Sequence, residues 1–536
     1  MSLYLGFDCS TQSLSAVIVE IDGPRRAVVF ERSLEFESAL PAYGTRRGVL
    51  PTDDLRIAVS PPIMWAEALD RVMAAIAASG LDLSRLMAIA GSAQQHGSVY
   101  LNAAAAGRLT TLDPGRPLAG QLDGVFSRPV APIWMDVSAV EECREITAAM
   151  GGSERLARLS GSRAFERFTG PQIRKFFKQD PAGYEATDRV HMVSSFMASL
   201  LAGRHAELDP GDASGMNLMD LATNLWLPDA LDATAPGLAR RLPHVVPSWS
   251  VLGELAPYWQ RRYGLPPARV VAWSGDNSCS LVGTGLVRPG QLTISLGTSD
   301  TVCGLMRTPA VAPSGIGHVF GAPTGEFMAL VCFRNGSLAR ERVRDEHGLD
   351  WTGFSAALRS TPPGNNGALV LPWFEPEITP DVPEAGVHRE NLDPRAGPAN
   401  VRAVVEAQMI AMFNHSRWMG VDAEVVHATG GAAVNPEILQ VMADVFGARV
   451  VRFAVENAAC LGAALRAFHA DEVASGREAP WSDVVKGLAE PMPGSSVKPV
   501  DAHVRVYREL SVRYAELERR VLRAGRGAPR HGGMLA

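Results

Sequence analysis

Between Trp273 and Asp300 the sequence reads WSGDNSCSLVGTGLVRPGQLTISLGTSD. A lone carboxylate, Asp276, stands in a Gly275-Asp276-Asn277 turn just ahead of a run of small residues. Such a group can take the proton of a weakly nucleophilic hydroxyl as it attacks. On residue type alone it can equally cap the helix that follows, a position Asp favours. After a short β-rich run comes Gly297-Thr298-Ser299, whose backbone N–H groups and hydroxyls suit anionic oxygens. The N-terminal stretch GFDCSTQS repeats the theme. There Asp8 ends an apolar strand and Ser10-Thr11-Gln12 form a polar turn. Taken singly each loop reads as an ordinary hairpin turn and is a weak signal for phosphate.

Other groups suit a polyol or a nucleotide. In QQHG, His96 with Gln95 beside it can donate to and accept from several hydroxyls. Alone, His96 reads as a satisfied loop histidine. Arg167, in ERFTG, offers a rigid fork of donors. Asn277 flanks the carboxylate. Gly430-Gly431 separate an apolar run from Asn435-Pro436, a helix start, and glycine lets a ligand approach the backbone closely. No CxxC pair occurs, and a single histidine without partners cannot hold zinc. The four lysines, Lys175, Lys178, Lys486 and Lys498, all lie outside Gly-rich loops, and there is no GxxxxGK[ST]. P-loop and protein-kinase chemistry place a lysine on the phosphates. If ATP binds here, amides, hydroxyls and metal must hold it instead.

The elements that would position these groups alternate between strands and helices. Leu3–Phe7 and Ala16–Ile21 read as strands either side of the first polar turn, with a third at Ala27–Phe30. PPIMWAEALDRVMAAIAASG has helical periodicity, and LMAIAGSAQQHG reads as a buried strand running into a loop. GQLTISLGTSDTVCGLM repeats the strand–turn–strand unit in the second half. VVHATGGAAVNPEILQVMADVFG reads as strand, glycine turn and helix, and ENAACLGAALRAFHA as a close-packing helix of small residues. A chain of 536 residues exceeds a single core, so two domains are expected. A Pro/Ser/Trp-rich stretch near Pro247–Pro257 places them at 1–255 and 256–536. Residues 103–130 read as an insertion loop, residues 375–400 carry no clear signal, and the Arg-rich stretch Arg520–Arg530 reads as a frayed end.

Hydrophobic content of 46% and charged content of 20% are those of an ordinary globular protein. The net charge of −6 gives no case for nucleic acid or an anionic membrane. Scattered cysteines predict reduced thiols in a cytoplasmic protein.

In their order along the chain, GFDCSTQS, QQHGSVY, WMDVSAVEEC, RFTGPQI, DASGMNL, GDNSCSLVGTGL, SLGTSDT, NGSLARERVRD and GGAAVNPEILQVMADVFG resemble the FGGY carbohydrate kinases, over roughly Leu3 to Ala470. The resemblance implies an α/β fold of two actin-like (ribonuclease H-like) ATPase domains flanking a central cleft that closes on its substrates. It implies ATP-dependent phosphorylation of a ketopentose, D-xylulose foremost, at the 5-hydroxyl. Ribulose, a tetritol or glycerol is the alternative acceptor, and an actin-like ATP switch the alternative class. It assigns the base to Asp276 and the sugar to His96, Arg167, Asp276 and Asn277, with Gln95 nearby. It assigns the phosphates to Ser10, Thr11, Gln12, Gly297, Thr298 and Ser299, and Mg²⁺ to Asp8. The adenine side falls to Gly430, Gly431, Asn435 and Trp351. Cys9-Ser10 stands where many relatives have Gly-Thr, which leaves the donors in place. A monomer or homodimer is expected.

Overall fold

The computed structural model describes residues 1–453 and 457–527. Two compact units divide the chain. The first gathers Met1–Arg288, Leu305–Met328 and Val455–Glu490; the second gathers Pro289–Gly304, Ala329–Ala454 and Pro491–Ala536. A boundary at residue 255 would pass between two paired strands, Val251–Glu254 and Arg269–Val271, of one sheet. Asp276 therefore belongs to the first unit, and that unit is assembled from three separate stretches of chain.

The sheet of the first unit runs Arg25–Glu35, Ser13–Asp22, Ser2–Cys9, Leu86–Ala93, Arg269–Val271 and Val251–Glu254, with Ser274–Gly275 also paired to Leu86–Ala93. The first three strands form an antiparallel meander; Leu86–Ala93 then runs parallel to Ser2–Cys9. The central strand is apolar on both faces because both are covered. Leu3, Leu5, Phe7 and Cys9 share a core with Met64, Trp65 and Leu69 of the Pro62–Ala77 helix. On the other face Tyr4 donates to Asp471 at 3.0 Å from the Ala458–Ala474 helix. A side chain at Gly6 would stand 2.2 Å from the Cys460 carbonyl, so the small residue is what lets this helix lie on the strand. The same helix meets the Asp276–Gly283 helix through Gly462 and Gly283, where added Cβ atoms would each stand 1.9 Å from backbone oxygens.

The second unit repeats the plan: Phe327–Phe333, Asp300–Met306, Gln291–Leu296, Val425–Thr429 and Arg449–Arg452 follow one another across its sheet. Gln291–Leu296 and Asp300–Met306 are antiparallel; Gln291–Leu296, Val425–Thr429 and Arg449–Arg452 are parallel. Asn435 caps the Pro436–Phe446 helix through N–H groups of Glu437 and Ile438, as the Asn-Pro pair predicts. Among residues 103–130 a helix (Ala104–Thr110) and a 3₁₀ turn (Ala119–Gln121) bury Leu109, Leu118 and Leu122, so the expected loop is partly ordered against the core. Within 375–400, Gly386–Glu390 pairs with Leu369–Trp373. The Asp501–Gly527 helix runs into the Arg-rich stretch that reads as frayed; 528–530 lie outside the described residues. Among the described residues no helix is long and apolar enough to cross a membrane.

Candidate active site

Strand register brings the acids of the first unit together. Asp8 lies opposite Ser92, and Ser92 opposite Ser274; Cys9, Ala93 and Gly275 form the next row. Asp8 and the residues leading into Asp276 thus end parallel neighbours, two strand spacings or about 10 Å apart across the sheet. Ser92 Oγ donates to Asp8 Oδ1 at 2.5 Å. Asp276 is the first residue of its helix, with Gly275 at the cap. Its Oδ1 accepts from the Asn277 backbone N–H at 2.7 Å and from Asn277 Nδ2 at 3.0 Å. Burial and then the Asp8 charge push the Asp276 carboxyl up to about 7. Burial likewise raises Asp8. A carboxyl poised near neutrality can accept a proton and still be ionised in a useful fraction of molecules.

The polar groups of QQHG and ERFTG converge beside it. Asn277 Nδ2 also donates to Gln95 Oε1 at 2.9 Å. His96, held at φ +69°, bonds the Gly215 carbonyl through Nδ1 at 2.8 Å. The carbonyl requires a proton on Nδ1, which leaves Nε2 an acceptor. Burial, then Arg167, hold the ring's pKa down to about 3, so it stays neutral. His96 and Arg167 share the Phe168 ring: the imidazole centroid is 4.4 Å away and the guanidinium carbon 5.7 Å. Arg167 Nη2 donates to His318 Nε2 at 2.8 Å. Asp276, Asn277, Gln95, His96 and Arg167 therefore form one connected patch in the first unit.

Several participants escape sequence reading. His318 orients Arg167, and its Nδ1 meets Ser162 at 3.1 Å. The stretch Gly211–Gly215 contributes carbonyls, from Gly211 to Gln95 (3.4 Å) and Gly215 to His96. Trp134 Nε1 donates to Thr11 Oγ1 at 2.8 Å. Arg466, fully buried, donates to the carbonyls of Ala272 (2.7 Å), Ser248 (2.9 Å) and Gly91 (3.2 Å), so it ties together the strand ends beneath Asp276. The short motifs WMD, GIGHVFG and DASG signal polar turns but not their targets.

In the Ser10–Gln12 turn, Ser10 turns back on Ser13, its N–H donating to the Ser13 carbonyl at 3.0 Å, while Gln12 is exposed. Among the described residues no cluster of three or more His, Cys, Asp or Glu could hold a metal. One carboxylate, Asp8, with nucleotide oxygens is the hard-oxygen set that Mg²⁺ takes alongside phosphates, and it fits a metal that arrives with ATP.

The second unit holds the residues expected on the adenine side and at the second Gly/Ser/Thr loop. Gly430, at φ +85°, lies so close to the Gln291–Leu296 strand that a Cβ would stand 2.5 Å from the Leu296 carbonyl, one residue before Gly297. Gly431 begins the 3₁₀ turn that leads to Asn435. Asn435 Nδ2 donates to Ser355 Oγ, which donates to the Trp351 carbonyl, so Trp351 and Asn435 sit on adjoining elements. Trp351 is 44% exposed and lies under the Arg344 guanidinium at 4.5 Å. Behind Gly297-Thr298-Ser299, Arg340 binds Asp300 bidentately (2.7 and 3.0 Å) and Gln408 (2.8 Å), all buried. Gly336 closes the loop's back, where a Cβ would stand 2.6 Å from the Thr298 carbonyl.

The chain also resembles known proteins. Family models described as the N-terminal and C-terminal domains of the FGGY family of carbohydrate kinases match residues 128–283 and 292–470. Xylulose kinase of Rattus norvegicus is 43% identical over 535 residues, covering 98% of each chain. The chain belongs to the FGGY carbohydrate kinases. Xylulose kinase 2 of Arabidopsis thaliana is 41% identical, with 87% of each chain covered. The crystal structure of xylulose kinase from Rhodospirillum rubrum matches with a TM-score of 0.80 at 20% identity, over 97% of this chain and 99% of that one. At that identity the likeness speaks for the fold, the actin-like α/β architecture that both sheets display. An FGGY kinase transfers phosphate from ATP to a carbohydrate, which fits a patch of hydrogen-bonding side chains around Asp276 in one unit and glycine-rich loops in the other.

Proposed function

We propose that this chain transfers the γ-phosphoryl group of ATP to the 5-hydroxyl of D-xylulose, with Asp276 as general base. The observation that carries the reading is the connected patch of Asp276, Asn277, Gln95, His96 and Arg167. Full-length relatives named xylulose kinases, at 41–43% identity, support the choice of sugar. The sugar hydroxyl oxygen attacks the γ-phosphorus while its proton passes to an Asp276 oxygen; the bond from phosphorus to the β,γ-bridging oxygen breaks and ADP leaves. Asn277 fixes the carboxylate's orientation through two N–H donors. His96 Nε2 accepts from a sugar hydroxyl, and Arg167, stacked on Phe168 and held by His318, donates to hydroxyl or carbonyl oxygens. The reading gives ATP's phosphates to Ser10, Thr11, Gln12, Gly297, Thr298 and Ser299, and its adenine side to Gly430, Gly431, Asn435 and Trp351. Mg²⁺ on Asp8 would offset phosphate charge when bound.

ADP release with Mg-ATP tests the reading against D-xylulose, L-xylulose, D- and L-ribulose, glycerol, erythritol and no sugar. The expected result is a strong preference for D-xylulose. Preference for another polyol would keep the base and reassign the pocket. ADP release indifferent to every sugar would overturn the kinase reading in favour of an ATP-driven switch.

A further inference from the structure

A cavity of about 620 Å³ opens in the second unit at the end of the sheet away from the Gly297-Thr298-Ser299 loop. It lies at the amino ends of Gln291–Leu296 and Val425–Thr429, between Leu292, Phe413, Phe446 and the start of the last helix. Gly297 and Gly430 follow the carboxyl ends of the same strands. From Leu292 to Leu296 alone the strand rises roughly 13 Å, so cavity and phosphate loop are separate places.

Two arginines face this cavity over one aromatic ring. The Arg508 guanidinium carbon is 4.4 Å from the Phe413 centroid and that of Arg417 is 5.9 Å from it. Phe446 meets Phe413 edge-on at 5.6 Å. Among the described residues neither guanidinium pairs with a carboxylate; Arg508 Nη2 donates to the Phe446 carbonyl at 3.5 Å, at the limit of a hydrogen bond. Asp422 also lines the cavity, without an ion pair to either. Burial, and after it the Arg417 charge, hold Arg508 below its usual pKa, as expected of two cations sharing a recess. Both arginines are exposed side chains of the lining, so most of their N–H donors face solvent and are open to an anion.

We infer that this recess binds a small phosphate-bearing anion at a site distinct from the candidate active site. Planar guanidinium forks match phosphate oxygens in pairs. Phe413, Leu292 and Phe446 supply apolar surface for a carbon skeleton, and the volume is that of a small-metabolite site. A bound phosphate would also relieve the repulsion between the two arginines.

Calorimetric titration of the full chain with inorganic phosphate, and separately with glycerol 3-phosphate, tests this. Any phosphate taken by the nucleotide loops is common to wild type and variants, so the readout is the difference between them. The expected result is one more binding site in wild type than in Arg417→Ala/Arg508→Ala. Arg508→Ala alone should weaken that site by about tenfold or more, and Arg508→Lys by less. Sugar-dependent ADP release should be unchanged in the double variant, which reports that it is folded. Tighter binding of glycerol 3-phosphate than of phosphate would identify a phosphate ester as the occupant; equal binding would identify the phosphate group alone. Identical stoichiometry and affinity in wild type, both single variants and the double variant would overturn the proposal.

Discussion

The two units place their candidate site residues at the same position, the carboxyl ends of the central parallel strands, but build them from different materials. In the first unit the groups are side chains already held by hydrogen bonds: Asn277 to Asp276 and Gln95, His96 to the Gly215 carbonyl, Arg167 to His318. In the second they are mostly backbone, Gly297-Thr298-Ser299 and Gly430-Gly431, braced from behind by Arg340 on Asp300. A neutral polyol is recognised by directed donors and acceptors, each needing its own orientation. A polyphosphate is recognised by N–H groups and dipoles, which need only a correctly bent loop. The contrast predicts that damage in the first unit appears in the reaction, and damage in the second in the fold first.

The largest effect belongs to Asp276. Asp276→Asn keeps the size and most hydrogen bonds but cannot accept the proton. Turnover should fall about 10²–10⁴-fold with little change in the binding of either substrate. In wild type, kcat/KM should fall about tenfold per pH unit below about 7, because the base must be ionised. Stability should move the opposite way. The folded pKa lies above the ordinary carboxylate value, so the fold favours the protonated form. The cost of ionising the group is absent near pH 4, grows as pH rises through 7 and is constant above it. Asp276→Asn should therefore be more stable than wild type at pH 8, by at most about 4 kcal/mol, with the gap closing toward pH 4. Chemical denaturation at the two pH values measures it. Near wild-type turnover in the variant would remove the base assignment and leave Asp276 a helix-start residue.

Next is the brace of the second unit. Arg340→Met leaves Asp300 buried without its partner and should cost about 3–5 kcal/mol. Arg340→Met with Asp300→Leu removes both charges and should recover part of that loss. If the single variant were as stable as wild type, with only its KM for ATP raised, the brace would be a functional contact and the contrast between the units would weaken.

How much of this was legible in sequence follows the same divide. Asp8, Asp276, Gly297 and Gly430 stand where an apolar run meets a Gly/Asp/Ser/Thr turn, and the local pattern of a strand end suffices to find them. His96, Gln95 and Arg167 were legible as hydrogen-bonding groups by residue type, His96 and Arg167 as sugar ligands only through the family resemblance, and the structure brings them together. Arg340 and Arg466 were not, because a buried arginine in RERVRD or AALRAF has the same local sequence as a surface one. Only contacts with Asp300 and Gln408, or with Ser248 and Ala272, distinguish them. The small residues of the Ala458–Ala474 helix announce close packing but not its partner. That partner is Gly6 at the far end of the chain, which is why a single cut at residue 255 misses the first unit's third stretch.

The smallest effect sharpens the comparison most. Arg167→Lys keeps the charge beside Phe168 but loses the planar fork, and with it the simultaneous hold on His318 and a sugar oxygen. Loss of one such charged hydrogen bond is worth about 1.5–3 kcal/mol, so the KM for sugar should rise roughly 10–100-fold. The KM for ATP should stay within about twofold, since no nucleotide group depends on this side chain. A pH profile still breaking near 7 would show that the base is untouched and only sugar placement has been lost. An equal rise in both KM values would mean instead that Arg167 and His318 support the whole first unit, and the side-chain patch would have to be counted as scaffold on the same footing as Arg340.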